Sequence, residues 1–290
     1  MFGLLFGLRE VEVTNSPTMS PTLRPDDVYL EELFFPISGV DLMDESTPQG
    51  QALSLMKEEA ETAYNVRDKS NEELIERYAM RVFYFSTNGN FWTISKDDST
   101  QNNFTSISNI PVCDWLPEKI TCNERNEDSR MEMVNTCNKR NKVSRMEMVN
   151  ANMNGTIPNE FGELTALTYL DFGDNNLHGQ FPDTLNKLTE MSYMRFFNNS
   201  MSGTIPSAIG DFNKLTFLNL IFNKFTGTIP NNFWKKQHEV IRLDKNSLNG
   251  TIPALKPQMA LKELCLSFNA FTGTLPQLSL IHISEPTRPY

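Results

Sequence analysis

From residue 146 onward the apolar side chains fall into a frame that repeats every 23 or 24 residues. Counting back from a glycine, they stand nine, seven and two places earlier: Leu170, Phe172 and Leu177, then Met194, Phe196 and Met201, and so on to Leu264, Leu266 and Phe271. Met146, Met148 and Met153 hold the same places in the first unit, and the glycines are Gly155, Gly179, Gly203, Gly227, Gly250 and Gly273, each with a proline three places on. Two apolar residues separated by one outward residue mark a short strand with alternate side chains in a core. Self-similarity at this period means stacked coils, each closing the apolar side of its neighbour. The pattern predicts an α/β solenoid of six coils over 146–277, with one strand per coil aligned in a parallel sheet on a concave face.

Composition sharpens this at one point. The chain holds 30 Asn in 290 residues, and Asn175, Asn199, Asn223, Asn246 and Asn269 each stand four places before a coil glycine. A primary amide offers two donors and an acceptor, so at the exit from a strand it can satisfy backbone groups of its own coil and of the next. The outward places of the strands and their exits are less ordinary. Tyr169, Tyr193 and Phe217 repeat at one position, Asp171, Arg195 and Asn219 at another, and Phe197, Ile221 and Phe222 gather beyond them. Stacked aromatics stabilise neighbouring strands. The same cluster, ringed by polar groups, also has the make-up of a binding hot spot. These nine residues are the candidate contact set for a partner.

Upstream the period changes to that of helices. Ser70 with Glu73 forms a capping box, and Leu74, Ile75, Tyr78, Ala79, Val82 and Phe83 make an apolar helical face until Gly89, predicting a helix over 71–86 that covers the open end of the solenoid. Thr47 followed by Pro48 starts a shorter helix over 48–60, with Ala52, Leu55, Met56 and Ala60 on one side. Residues 1–46 read as a flexible Pro/Ser/Thr-rich and acidic leader, and 47–145 as a cap region. The formal charge of −10 is local: residues 25–77 carry 14 acidic and 4 basic side chains, and the remainder 22 of each sign. With no basic stripe, nucleic acid is excluded as a partner.

The repeat residues resemble the plant-type leucine-rich repeat, L-x-x-L-x-L-x-x-N-x-L-x-G-x-I-P. The segments Tyr84–Trp92, Cys113-Asp114-Trp115 and Ile120-Thr121-Cys122 are similar to the N-terminal cap of extracellular repeat proteins, most closely the diatom-type families. That resemblance implies a right-handed superhelix and a cell-surface or secreted recognition protein, receptor-like, binding a protein, peptide or glycan on the concave face. It also implies oxidation of Cys113, to Cys122 on the family pattern or to Cys137. The second cysteine arises because Thr136–Asn150 repeats Thr121–Asn135 at 12 of 15 positions. Cys265, between Leu264 and Leu266, is expected to stay a thiol. Asn103, Asn154, Asn198 and Asn249 begin Asn-x-Ser/Thr sequons, which agrees with a secretory route. Residues 278–290 leave the repeat and resemble the in-frame translation of a sequencing-library adapter, so they and His282 are set aside.

No catalytic constellation accompanies the repeats. Asp171-Phe172-Gly173 spells a kinase magnesium motif, yet Phe172 is a core residue of a strand and neither a phosphate loop nor a His-Arg-Asp loop is present. The expectation is a non-enzymatic recognition module without cofactor or metal, reaching a membrane only through segments beyond the repeats. The competing reading on the same scaffold is a secreted enzyme inhibitor or cell-wall structural protein.

Overall fold

The structure, a computed structural model, describes residues 24–62, 65–93, 142–254, 260–273 and 282–284. Each coil contributes a three-residue strand to a parallel sheet in the order β1 (Arg145–Glu147), β3 (Tyr169–Asp171), β5 (Tyr193–Arg195), β7 (Phe217–Asn219), β9 (Val240–Arg242), β11 (Glu263–Cys265) and β13 (His282–Ser284). The register aligns Met146, Leu170, Met194, Leu218, Ile241 and Leu264 as one buried row. A second parallel sheet holds β2 (Asn154–Gly155), β4 (Asn176–Gly179), β6 (Ser200–Thr204), β8 (Lys224–Gly227), β10 (Ser247–Thr251) and β12 (Ala270–Thr272). Short 3₁₀ turns at 159–163, 183–187, 207–211 and 233–235 complete the return path. The strand β13 comes from the stretch the sequence reading set aside. It pairs with β11 along an edge whose backbone groups are a template for any short β-prone segment.

The asparagines do what their position requires. Asn223 Nδ2 donates to Leu220 O in its own coil and, at 2.8 Å, to Phe196 O in the coil before, while its Oδ1 accepts from Met201 N at 2.9 Å. Asn175, Asn199, Asn246 and Asn269 repeat this pattern. One column departs from its apolar type. Leu167, Met191, Leu215 and Leu261 stand three places before the buried strand residue, and in the fifth coil His238 stands there, fully buried, with Nδ1 2.8 Å from Leu215 O and Nε2 3.0 Å from Phe233 O.

Among the described residues the cap has three α-helices where two were expected. Residues 25–38, read as part of the flexible leader, form α1 (Pro25–Ser38), opened by Pro25 with Asp26 and Asp27 in its first turn. Leu30 and Phe34, four residues apart, are buried, and Phe34 stacks on Tyr78 at 4.1 Å. The predicted helices are α2 (Pro48–Thr62) and α3 (Asn71–Ser86), and the Ser70 side chain accepts from Glu73 N as the capping box requires. Helix α3 divides two cores: Leu74, Tyr78 and Val82 face α1 and α2, whereas Ala79, Met80, Phe83 and Tyr84 join the solenoid core. Phe83 stacks on Phe172 at 5.3 Å, so the helix does close the solenoid end. The chain locks there through Thr156 N to Ser86 O, and Gly155, at φ 148°, lies where a Cβ would run into that same carbonyl.

Candidate functional site

The candidate residues come from the outward side of the seven-stranded sheet and from the corners that follow it. Parallel pairing aligns Tyr169 with Tyr193 and Tyr193 with Phe217. Their rings stack at 4.2 and 4.3 Å, 6° and 10° from parallel. The Arg145 guanidinium covers the free face of Tyr169 at 3.4 Å, and that of Arg242 lies 5.9 Å from Phe217. The row is therefore a closed ladder that offers ring edges and the two tyrosine hydroxyls, its faces being used within the row. Burial raises both tyrosine pKa values above the ordinary phenol value.

Two of the nine residues are not available to a partner. Asp171 and Asn219 are buried, at 0% and 3% exposure. Each folds back to accept from the backbone N–H two residues on, Gly173 N for Asp171 and Ile221 N for Asn219. This is the Asx turn, which short acceptors make and which removes them from the outward surface. Asp171 also takes a 2.7 Å bond from Arg195 Nη1; burial raises its pKa, and Arg195 opposes that shift. Arg195 itself is half-buried and lies 4.2 Å over the Phe197 ring. Phe197 in turn covers Gly173, where a Cβ would run into the ring. Ile221 is half-buried and Phe222 is exposed.

So Tyr169, Tyr193, Arg195, Phe197, Phe217, Ile221 and Phe222 form one continuous surface, edge-on rings in the sheet and open rings at its rim. The sequence reading missed its extension. Lys245 and Phe268 occupy the same corner position as Phe222 in the next two coils, both exposed. The signal was present, since each stands five places before its coil glycine.

Of the sequons, Asn154 and Asn249 are exposed on the six-stranded sheet, and Asn198 is at a corner, where its Nδ2 donates to Asp174 Oδ1 at 2.7 Å. Asn103, Cys113, Cys122 and Cys137 lie outside the described residues. Cys265 carries a half-buried thiol with Sγ 3.3 Å from Glu263 Oε1. Among the described residues no group of His, Cys, Asp or Glu could hold a metal ion, and no helix is long and apolar enough to cross a membrane.

The Leucine Rich Repeat family model matches residues 166–188 and 214–235. Among solved structures the chain is similar to the ectodomain of the Arabidopsis receptor kinase HAESA in complex with an N-terminally extended IDA peptide hormone, at 33% identity and TM-score 0.45, over 46% of this chain and 23% of that one. It is similar to PEPR1-AtPEP1 at 30% and 0.45, over 49% and 20%, and to a plant ice-binding protein at 28% and 0.42, over 48% and 47%. The chain thus spans less than a quarter of the HAESA and PEPR1-AtPEP1 chains and about half of the ice-binding one. No curated protein matches it. The matched repeats, the 23–24-residue frame, the two parallel sheets and the asparagine ladder make the fold a leucine-rich-repeat solenoid.

Proposed function

We propose that the chain is a recognition module that binds a protein or peptide on the outward face of the seven-stranded sheet, as the ectodomain of a receptor-like cell-surface protein. The observation that carries this is the continuity of edge-on rings, guanidinium groups and open rim aromatics over adjacent coils. Tyr193, Phe197, Phe217 and Phe222 give large contact area with few rotatable bonds and Arg195 adds a guanidinium, the composition from which binding hot spots are built. Asp171 and Asn219 act inside this surface, fixing the turn at Gly173, on which Phe197 packs, and the turn that carries Ile221. A secretory route, with Cys113 oxidised to Cys122 and glycans at exposed sequons, belongs to the same proposal. Glycans at Asn154 and Asn249 would leave from the six-stranded sheet and keep the proposed face clear.

The test uses peptides selected from a display library on the folded chain. They should lose at least about tenfold in affinity for a Tyr193→Ala, Phe217→Ala double variant that remains folded. Undiminished affinity would assign the aromatic ladder to strand stabilisation alone.

A further inference from the structure

Five places before its glycine, each coil leaves the strand through a residue in the left-handed region: Asn150, Asp174, Asn198, Phe222, Lys245 and Phe268, all with φ between 51° and 56°. Asn and Asp suit that conformation because a short polar side chain finds local partners, and for bulky side chains it is an outlier. The first three coils use the tolerant types and the last three do not. Phe222 and Phe268 are also 47% and 55% exposed, whereas seven of the ten other phenylalanines of the repeats are buried. Between them the Lys245 Nζ lies 3.8 Å from the Phe222 ring centroid and 5.5 Å from that of Phe268. Among the described residues no carboxylate is in ion-pair contact with that ammonium. Three successive coils accept backbone strain, and two of them exposed rings, to present one cation between two apolar surfaces. Outliers of this kind cluster at ligand clamps.

Resting on the recognition reading above, we propose that Phe222, Lys245 and Phe268, at the rim of that surface, form a contact ridge which takes an acidic peptide segment with an apolar residue on each side of one carboxylate. The order apolar, cation, apolar along the ridge is complementary to that segment. An ammonium resting on aromatic faces meets a carboxylate in partly desolvated surroundings, where the pair is stronger than in open water. A uniformly charged polymer fits less well. The same row carries Asp174, and Asp244 directly precedes Lys245, so evenly spaced anionic groups would meet like charge beside the one cation.

Fluorescence anisotropy on the whole chain tests this with two dye-labelled probes, Gly-Phe-Asp-Phe-Gly and its Gly-Phe-Asn-Phe-Gly twin. The Asp probe should bind tighter by about fivefold to tenfold. Lys245→Met should bring that ratio to about one with the melting temperature unchanged. Phe268→Asn should weaken both probes while the melting temperature holds or rises, because Asn suits a positive φ. A purely structural Phe268 would give a lower melting temperature instead. Equal binding of the two probes, no binding of either, an Asp preference that survives Lys245→Met, or displacement of the Asp probe by oligogalacturonate through Lys245 overturns the ridge. Library peptides that still depend on Tyr193 and Phe217 would leave the sheet-face reading standing, so the two failures read apart.

Discussion

Asn223 in the solenoid and Glu59 in the cap are both buried polar side chains, and they do opposite work in their cores. Asn223 is one of a series. Its amide reaches its own coil and the previous one, and Asn199 and Asn246 do the same a coil away. Glu59 belongs to no such series: its carboxylate accepts from Arg77 Nε at 3.0 Å and from Arg81 Nη2, with all three side chains almost fully buried between α2 and α3. Neutral amides in a ladder satisfy the backbone without burying charge. A buried ion cluster recovers its desolvation cost only while every member is present. The repeats therefore gain their order from a local rule applied again in each coil, and the cap gains its order from one arrangement that nothing else among the described residues duplicates.

The largest effect should come from breaking a repeated apolar column, that of Met148, Phe172, Phe196, Leu220, Leu243 and Leu266. Leu220→Asp places an unpaired charge in the solenoid core and should cost about 5 kcal/mol, abolishing the folded state at ordinary temperature. A melt within a degree or two of the parent would mean that the register is wrong. Next, Glu59→Gln leaves two guanidinium groups without their shared carboxylate and should cost about 3–5 kcal/mol. Hydrogen exchange should then speed up in α2 and α3 more than in β5 to β9; uniform acceleration would show that cap and repeats unfold as one. Asn223→Ala removes a buried amide from a ladder whose neighbours persist and should cost about 2–3 kcal/mol, with the exchange change centred on its own and the preceding coil. The smallest effect concerns His238. Burial lowers its pKa below the ordinary histidine value of 6.5, against the pull of the two carbonyls it contacts and with the help of the nearby Lys236. The unfolded chain then takes the proton more readily. The contribution of this group is fully present above about pH 6.5 and is lost as the pH falls below that value. Denaturant midpoints between pH 7 and 5 should fall more steeply for the parent than for His238→Leu, which restores the apolar type of the column.

What could be read from the chain divides along the same line. The strands β1, β3, β5, β7, β9 and β11, the asparagine ladder and the capping box of α3 follow local rules, so spacing alone placed them; the six-stranded sheet, a second strand in each coil, and β13 were not foreseen. Helix α1 was missed because its signal is weak: acidic residues interrupt the apolar face, Pro36 stands inside the helix, and its partners Tyr78 and Val82 are some forty residues away in sequence. For the candidate site, position five before glycine was legible as an exit from the strand, but not that six coils hold it left-handed. Asp171 and Asn219 occupy outward positions by strand alternation, yet an Asx turn returns both to the backbone. Alternation fixes where a Cα points, and a short acceptor beside an unpaired N–H can reverse that for its side chain. His238 stands at an apolar column position, and only packing shows the two backbone carbonyls beside its ring nitrogens.

The central claim is that a partner occupies the outward face of the seven-stranded sheet. Hydroxyl-radical footprinting of the chain with and without a library-selected peptide tests it most directly, since both sheets carry reactive side chains. Protection of Tyr193, Phe197, Phe217 and Phe222 is the predicted result. Protection confined to His178 and Lys224 on the six-stranded sheet, with those four rings as reactive as in the free chain, would contradict it.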